Sequence, residues 1–174
     1  EVSQNLINGH GLTQSQSPPY VPYSFRPPLF FYFLYWTQIL FGYGGVVLLN
    51  MIISSALPVM AMRLVSYVLD SRKLVVAIGV LLAVEPQGIM YATFLYSETL
   101  FMFLLFSSFF YLFKYIKEKR LHDLIISGAI LGLACLTKPV VEYLPVIIVA
   151  CLLWEARKRF SKEIFLHVGA YVLV

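Results

Sequence analysis

Few residues in this chain are of types that do chemistry, and they fall in a pattern. Ser97-Glu98-Thr99-Leu100-Phe101 puts a carboxylate at the mouth of an apolar run; from Thr99 to Tyr115 only Lys114 is charged. A carboxylate at the edge of a bilayer costs free energy unless it is paired or used. The local alternative is a helix N-terminus, with Ser97 as N-cap and Glu98 favoured by the helix dipole, and the two readings are compatible. Arg26, Lys138, Glu85 and Glu142 fall on the same side by the charge distribution described below. Arg26 offers a planar fork that matches a phosphate, and Lys138 a point charge beside it. Taken singly, each has a structural explanation: Lys138 snorkels at a helix end, Glu142 pairs with it at i, i+4, and Arg26 bonds loop carbonyls. Taken as a set on one face, they form a candidate substrate-binding site. His10, a loop histidine, joins the candidates, although nothing stands at metal-ligand spacing from it.

Composition sets where such chemistry takes place. Of 174 residues, 60% are hydrophobic and only 13% charged, and the mean hydropathy is +0.80. Soluble domains are about a quarter charged, so the chain reads as an integral membrane protein. The net charge of +4 then concerns the placement of loop charges and not nucleic acid. Cys135 and Cys151 fall in apolar stretches and read as small buried hydrophobes. The chain carries no nucleotide-binding loop, no Ser or Cys triad and no zinc motif.

The elements that must position the candidates are helices. Residues 1–28 are polar and turn-rich, a first loop with a short helix closing on the glycines of Asn5-Leu6-Ile7-Asn8-Gly9-His10-Gly11. Pro27 and Pro28 block a helix before them and suit the first turn of one after them. The aromatic-rich stretch 29–41, ending at Gly42, is too short to span and reads as a re-entrant or interfacial helix. Spans are expected at 46–69, 74–95, 99–116, 121–138 and 140–154, with another starting from 164. The second is broken at Glu85-Pro86-Gln87-Gly88, and a break at membrane depth needs protein or a water-filled cavity over its backbone. Gly128 and Gly132 form a small-xxx-small pair that suits close helix packing. The expected architecture is thus all-α, a polytopic transmembrane bundle of about five to six spans with an extracytoplasmic loop of short helices. Because the sequence opens at Glu1 and stops within an apolar run at Val174, it reads as part of a longer protein.

The basic residues orient that bundle. Arg72 and Lys73, then Lys114, Lys117, Lys119 and Arg120, then Arg157, Lys158, Arg159 and Lys162 follow the first, third and fifth spans. The positive-inside rule makes that side cytoplasmic. Arg63 lies near the cytoplasmic end of the first span, which leaves Arg26 and Lys138 on the outer side with loop 1–28 and Glu98.

Four stretches then suggest a family. Asn5-Leu6-Ile7-Asn8-Gly9-His10-Gly11, Arg26-Pro27-Pro28-Leu29, Ser97-Glu98-Thr99-Leu100-Phe101 and Leu136-Thr137-Lys138-Pro139 resemble, in order and spacing, the N-terminal half of membrane glycosyltransferases of the C-type fold. These are the dolichyl- or polyprenyl-phosphate-mannose protein mannosyltransferases and the aminoarabinose transferases. The resemblance implies transfer of a sugar from a polyprenyl-phosphate donor to a protein, lipid or glycan acceptor outside the membrane. It implies that Arg26 reaches the carrier phosphate, that Lys138 is a second phosphate contact and that Glu98 is a polar wall. The acidic base of the family lies upstream of the Asn-Leu-x-x-Gly-x-Gly segment, before Glu1, so no catalytic residue is named here. No cofactor is implied with certainty; a divalent metal stays open. The setting would be a multi-pass integral membrane protein among membrane lipids, in the plasma (inner) membrane of a prokaryote.

Two other readings stay open. A broken span with intramembrane Glu85 suits a transporter or other non-enzymatic bundle, although loop 1–28 is longer than a transporter connector needs. A mannosyltransferase of lipid-anchor assembly also carries a Ser-Glu-(Thr/Ser)-Leu-Phe stretch.

Overall fold

The computed structural model describes residues 2–15 and 17–159, together with His167, Gly169 and Tyr171. Among them every regular element is helical: α1 (Val2–Ile7), α2 (Leu29–Val65), α3 (Arg72–Ala83), α4 (Pro86–Thr93), α5 (Ser97–Glu118), α6 (Leu121–Cys135), a 3-10 turn (Pro139–Val141) and α7 (Leu144–Arg159). Helix α2 is the hub; α1, α3, α4 and α5 all pack on it. The other main pairing is α5 with α6.

The two stretches expected on either side of Gly42 run into one another. Helix α2 extends from Leu29 to Val65, but Gly42 stands at φ 68°, ψ −178° and kinks its axis. Only glycine takes that conformation without steric cost, so the separate interfacial helix 29–41 is instead the first arm of a kinked α2. Pro58 lies inside the second arm. Lacking an N–H, it leaves the carbonyl of Ser54 without its helical donor.

The broken span is found where the proline falls. Helices α3 and α4 meet at 48°. Pro86 is the first residue of α4, and Glu85 caps it, accepting from Gly88 N at 2.6 Å. Helix α5 has 22 residues, roughly 33 Å at 1.5 Å per residue. By length and composition α2 and α5 are able to cross a membrane, and the bent pair α3–α4 brings the number to three. Helix α6 has 15 residues, shorter than the about 20 that a perpendicular crossing takes, and 16 residues of α7 are described. The span expected at 121–138 is therefore a helix ending at Cys135, because Thr137-Lys138-Pro139 cannot continue it. The run expected from 164 lies largely outside the described residues.

Polar pairs lock α5 to α6. Ser108 and Ser127, both buried, exchange hydroxyl-to-carbonyl hydrogen bonds of 2.9 Å. Buried Asp123 accepts from Lys114 at 3.0 Å. Around them Tyr115, Leu124, Leu131 and Ala134 form the densest core. Close approach occurs at Ser127, while a Cβ built on Gly132 meets nothing within 4 Å among the described residues. Many large apolar residues on α2, α3 and α7 face outward, including Leu48, Ile52, Val80, Leu81 and Ile147. That is the exposure a bundle has when lipid is its solvent.

Candidate functional site

The first loop is folded around one side chain. Asn5 is 4% exposed, and its Nδ2 donates to Thr13 O (2.9 Å), Thr13 Oγ1 (3.1 Å) and Ser15 O (2.9 Å). Helix α1 closes as expected on Gly9, at φ 78°, with His10 N donating to Asn5 O at 2.9 Å. The chain then doubles back: Gln14 N bonds Val21 O and Tyr23 N bonds Leu12 O, at 3.0 and 2.8 Å. Tyr23 sets its ring edge-on to Phe31 of α2, with centroids 5.3 Å apart.

This arrangement delivers Arg26 to the head of α2. Pro28 is the N-cap of that helix, and Leu29 N donates across the bundle to Leu136 O at 3.2 Å. The Arg26-Pro27-Pro28 and Leu136-Thr137-Lys138 stretches are thereby joined through the backbone. Thr137 is buried and bonds Leu133 O at 3.0 Å, so the residue before Lys138 is fixed to α6. Lys138 itself is extended, φ −147°, as the residue before a proline prefers.

From there Lys138 Nζ reaches Glu98 Oε1 at 2.5 Å, with both side chains about 30% exposed or slightly less. The i, i+4 partner Glu142 is exposed and makes no ion pair among the described residues. The 3-10 turn at Pro139 interrupts the helix and removes the shared face that an i, i+4 pair needs. Tyr96, not Ser97, is the N-cap of α5, and Ser97 Oγ lies 3.5 Å from Glu98 Oε2.

A cavity of about 400 Å³ is lined by Arg26, Glu98, Lys138, Thr137, Phe25 and Tyr96 among others. Glu98 and Lys138 also line an adjoining cavity of about 310 Å³ that takes in Glu85, Tyr91 and Phe101. The structure thus brings together Arg26, Glu98, Lys138 and, one cavity deeper, Glu85. His10 stays apart: it is exposed, stacks on Tyr20 at 4.1 Å and shares a 3.1 Å hydrogen bond with the Tyr20 hydroxyl. Arg26 is exposed and has no hydrogen bond or ion pair with another described side chain, so its fork is open to the cavity. No three His, Cys, Asp or Glu side chains converge as a metal site among the described residues.

Three contributors escaped the sequence reading. Phe25 and Tyr96, 86% and 45% exposed, wall the cavity but lie in segments whose many aromatics make no one ring stand out. Asn50 had a usable signal, being the lone amide in the apolar second arm of α2.

Residues 25–174 match the family model described as dolichyl-phosphate-mannose-protein mannosyltransferase. No curated protein and no solved structure matches the chain. The matched region contains Arg26, Glu85, Glu98 and Lys138 and excludes His10. Cations beside a carboxylate in a cavity at the head of apolar helices, within that matched region, place the chain: it belongs to the dolichyl-phosphate-mannose-protein mannosyltransferase family and is a membrane glycosyltransferase of the mannosyltransferase type.

Proposed function

We propose that this protein moves a sugar from a polyprenyl-phosphate carrier to an acceptor on the extracytoplasmic side of the membrane. The observation that carries this reading is the convergence of Arg26 and Lys138, from motifs far apart in sequence, on one cavity with Arg26 left open. In the reaction an acceptor oxygen attacks the anomeric carbon, and the bond to the carrier phosphate breaks with its electron pair leaving on the phosphate. The charge that builds on the phosphate is met by cations held in place beforehand. Arg26 grips two phosphate oxygens; Lys138 adds a point charge. Glu98 holds Lys138 in place beside the apolar ring of Phe101, whose centroid lies 6.0 Å from Nζ. A base takes the acceptor's proton as the new bond forms.

The membrane setting follows from the same charges. The cavity lies at the end of α5 where Glu98 sits, and Lys114, Lys117 and Arg120 lie toward the other end. With the positive-inside rule, the cavity is extracytoplasmic and the bundle multi-pass, with about five to six spans where the bilayer thins around the shorter helices.

Membranes from cells making the protein supply both carrier and acceptor. Given radiolabelled polyprenyl-phosphate mannose, they are expected to pass label to a non-lipid or lipid acceptor, above membranes lacking the protein. Equal incorporation in the two preparations, with the protein present and folded, contradicts the proposal.

A further inference from the structure

Asn50 lies on the buried face of α2, 1% exposed, in a helix arm that is otherwise almost wholly apolar. Its Nδ2 donates to Ala92 O at 2.7 Å and to Tyr91 O at 3.3 Å, two carbonyls at the C-terminal end of α4. The Thr93 hydroxyl shares its one hydrogen between the Ile89 and Met90 carbonyls, at 3.2 and 3.0 Å, and Met90 O also accepts from Phe94 N at 3.1 Å. Asn50 thus supplies a donor to the Ala92 carbonyl, one that the end of α4 would otherwise leave open. Two residues later the chain reverses through Leu95 at φ 54°, a left-handed conformation that a branched side chain disfavours. Tyr96 N then donates back to Tyr91 O at 3.4 Å. The side chain of Asn50 and the N-cap of α5 therefore share one acceptor, and Glu98 follows within the first turn.

The rings of this reversal pack mainly on one another, Tyr96 edge-on to Tyr91 at 5.4 Å and 6.5 Å from Phe94, while Phe94 stays 70% and Tyr96 45% exposed. Packing alone would not favour Asn50. Its Oδ1 is buried with no partner among the described residues, a cost that a leucine of similar size would avoid.

We propose that Asn50 is a positioning residue for the donor site: it clamps the end of α4 to α2, holds the strained Leu95 reversal, and so sets where α5 begins and where Glu98 meets Lys138. The functional half of this inference rests on the proposed transfer reaction; the geometric half does not.

The test uses the intact protein in detergent and two readouts. A water-soluble carbodiimide joins a carboxylate to an amine only where they touch, so the Glu98–Lys138 pair becomes an amide found by peptide mass spectrometry. Wild type is expected to give that linked peptide. Asn50→Leu, at matched helicity and elution volume, is expected to give about fivefold less or lower. Asn50→Ser, too short to reach both carbonyls, serves in the same comparison where the leucine variant does not fold. In the second readout, Asn50→Leu raises the apparent KM for polyprenyl-phosphate mannose about tenfold in the wild-type background and adds little to Glu98→Gln, because both act through one pair. A residue that merely stabilises the fold would multiply its loss in both backgrounds. Undiminished coupling in a folded Asn50 variant overturns the proposal. If coupling falls as expected but wild type transfers no sugar, the clamp stands and the transfer reading fails.

Discussion

Lys138 donates to Glu98 at 2.5 Å across a sequence separation of 40 residues, and this contact ties the end of α6 to the start of α5 at the mouth of a cavity. The pair fixes the Lys138 ammonium at the wall of the cavity. On the proposed reading it also neutralises a carboxylate that alone would repel the donor's phosphate. The partnership makes Lys138 a cation with its position already set, and Arg26 the cation with free donors.

That pairing separates stability from binding. Lys138→Met leaves a partly buried carboxylate without its partner and is expected to destabilise by roughly 1–2 kcal/mol. Glu98→Leu combined with Lys138→Met removes both charges and is expected to recover most of that loss while leaving phosphate binding weak. Thermal melts and polyprenyl-phosphate binding on the three proteins check this. A double variant that regains binding along with stability would show that Lys138 does not contact the donor.

Asn5 is the keystone of the first loop. Asn5→Ala leaves the buried Thr13 carbonyl and hydroxyl and the half-buried Ser15 carbonyl without their donor, an expected loss of about 1–3 kcal/mol in local stability. The reversal between Thr13 and Pro22 should open, and limited proteolysis should cut it several-fold faster while the helices stay protected. Cleavage at the wild-type rate would mean that the pairing of residues 14 and 23 with 21 and 12 holds the loop by itself.

Orientation is open to a labelling experiment. In a protein with Cys135 and Cys151 replaced by alanine, a cysteine at exposed Asn8 should react with an impermeant maleimide from outside intact cells. A cysteine at exposed Ser71 should react only after the membrane is opened. Labelling at 71 alone inverts the topology and moves the site to the cytoplasmic face.

The helical class, the break at Glu85-Pro86 and the glycine closure after α1 were legible because each depends on local backbone chemistry. Proline lacks a donor, and glycine takes the left-handed cap without steric cost. The gathering of Arg26, Glu98 and Lys138 was legible only as a shared side of the membrane. The Lys138–Glu98 pair itself was not, because the nearer Glu142 looked like the natural partner and only the 3-10 turn at Pro139 removes it. The union of 29–41 with the following helix was hidden for a related reason. Glycines after Phe41 read as a terminus, whereas the backbone passes Gly42 with a kink and resumes the helix. Asn50 was passed over because a lone amide in an apolar helix has no pattern; its meaning comes from α4, which sequence separation conceals.

The central claim is that Arg26 receives the donor's phosphate, and direct binding tests it most closely. Purified intact protein and its Arg26→Ala and Arg26→Lys variants would be titrated with a fluorescent polyprenyl phosphate, with melting temperature measured in parallel. Arg26 makes no hydrogen bond or ion pair with another described side chain, so the melting temperature should hold. Binding should weaken in Arg26→Ala by about 30- to 1,000-fold, the equivalent of roughly 2–4 kcal/mol for a lost charge-assisted fork, and recover only in part in Arg26→Lys. A well-folded Arg26→Ala protein that binds polyprenyl phosphate as tightly as wild type contradicts the account.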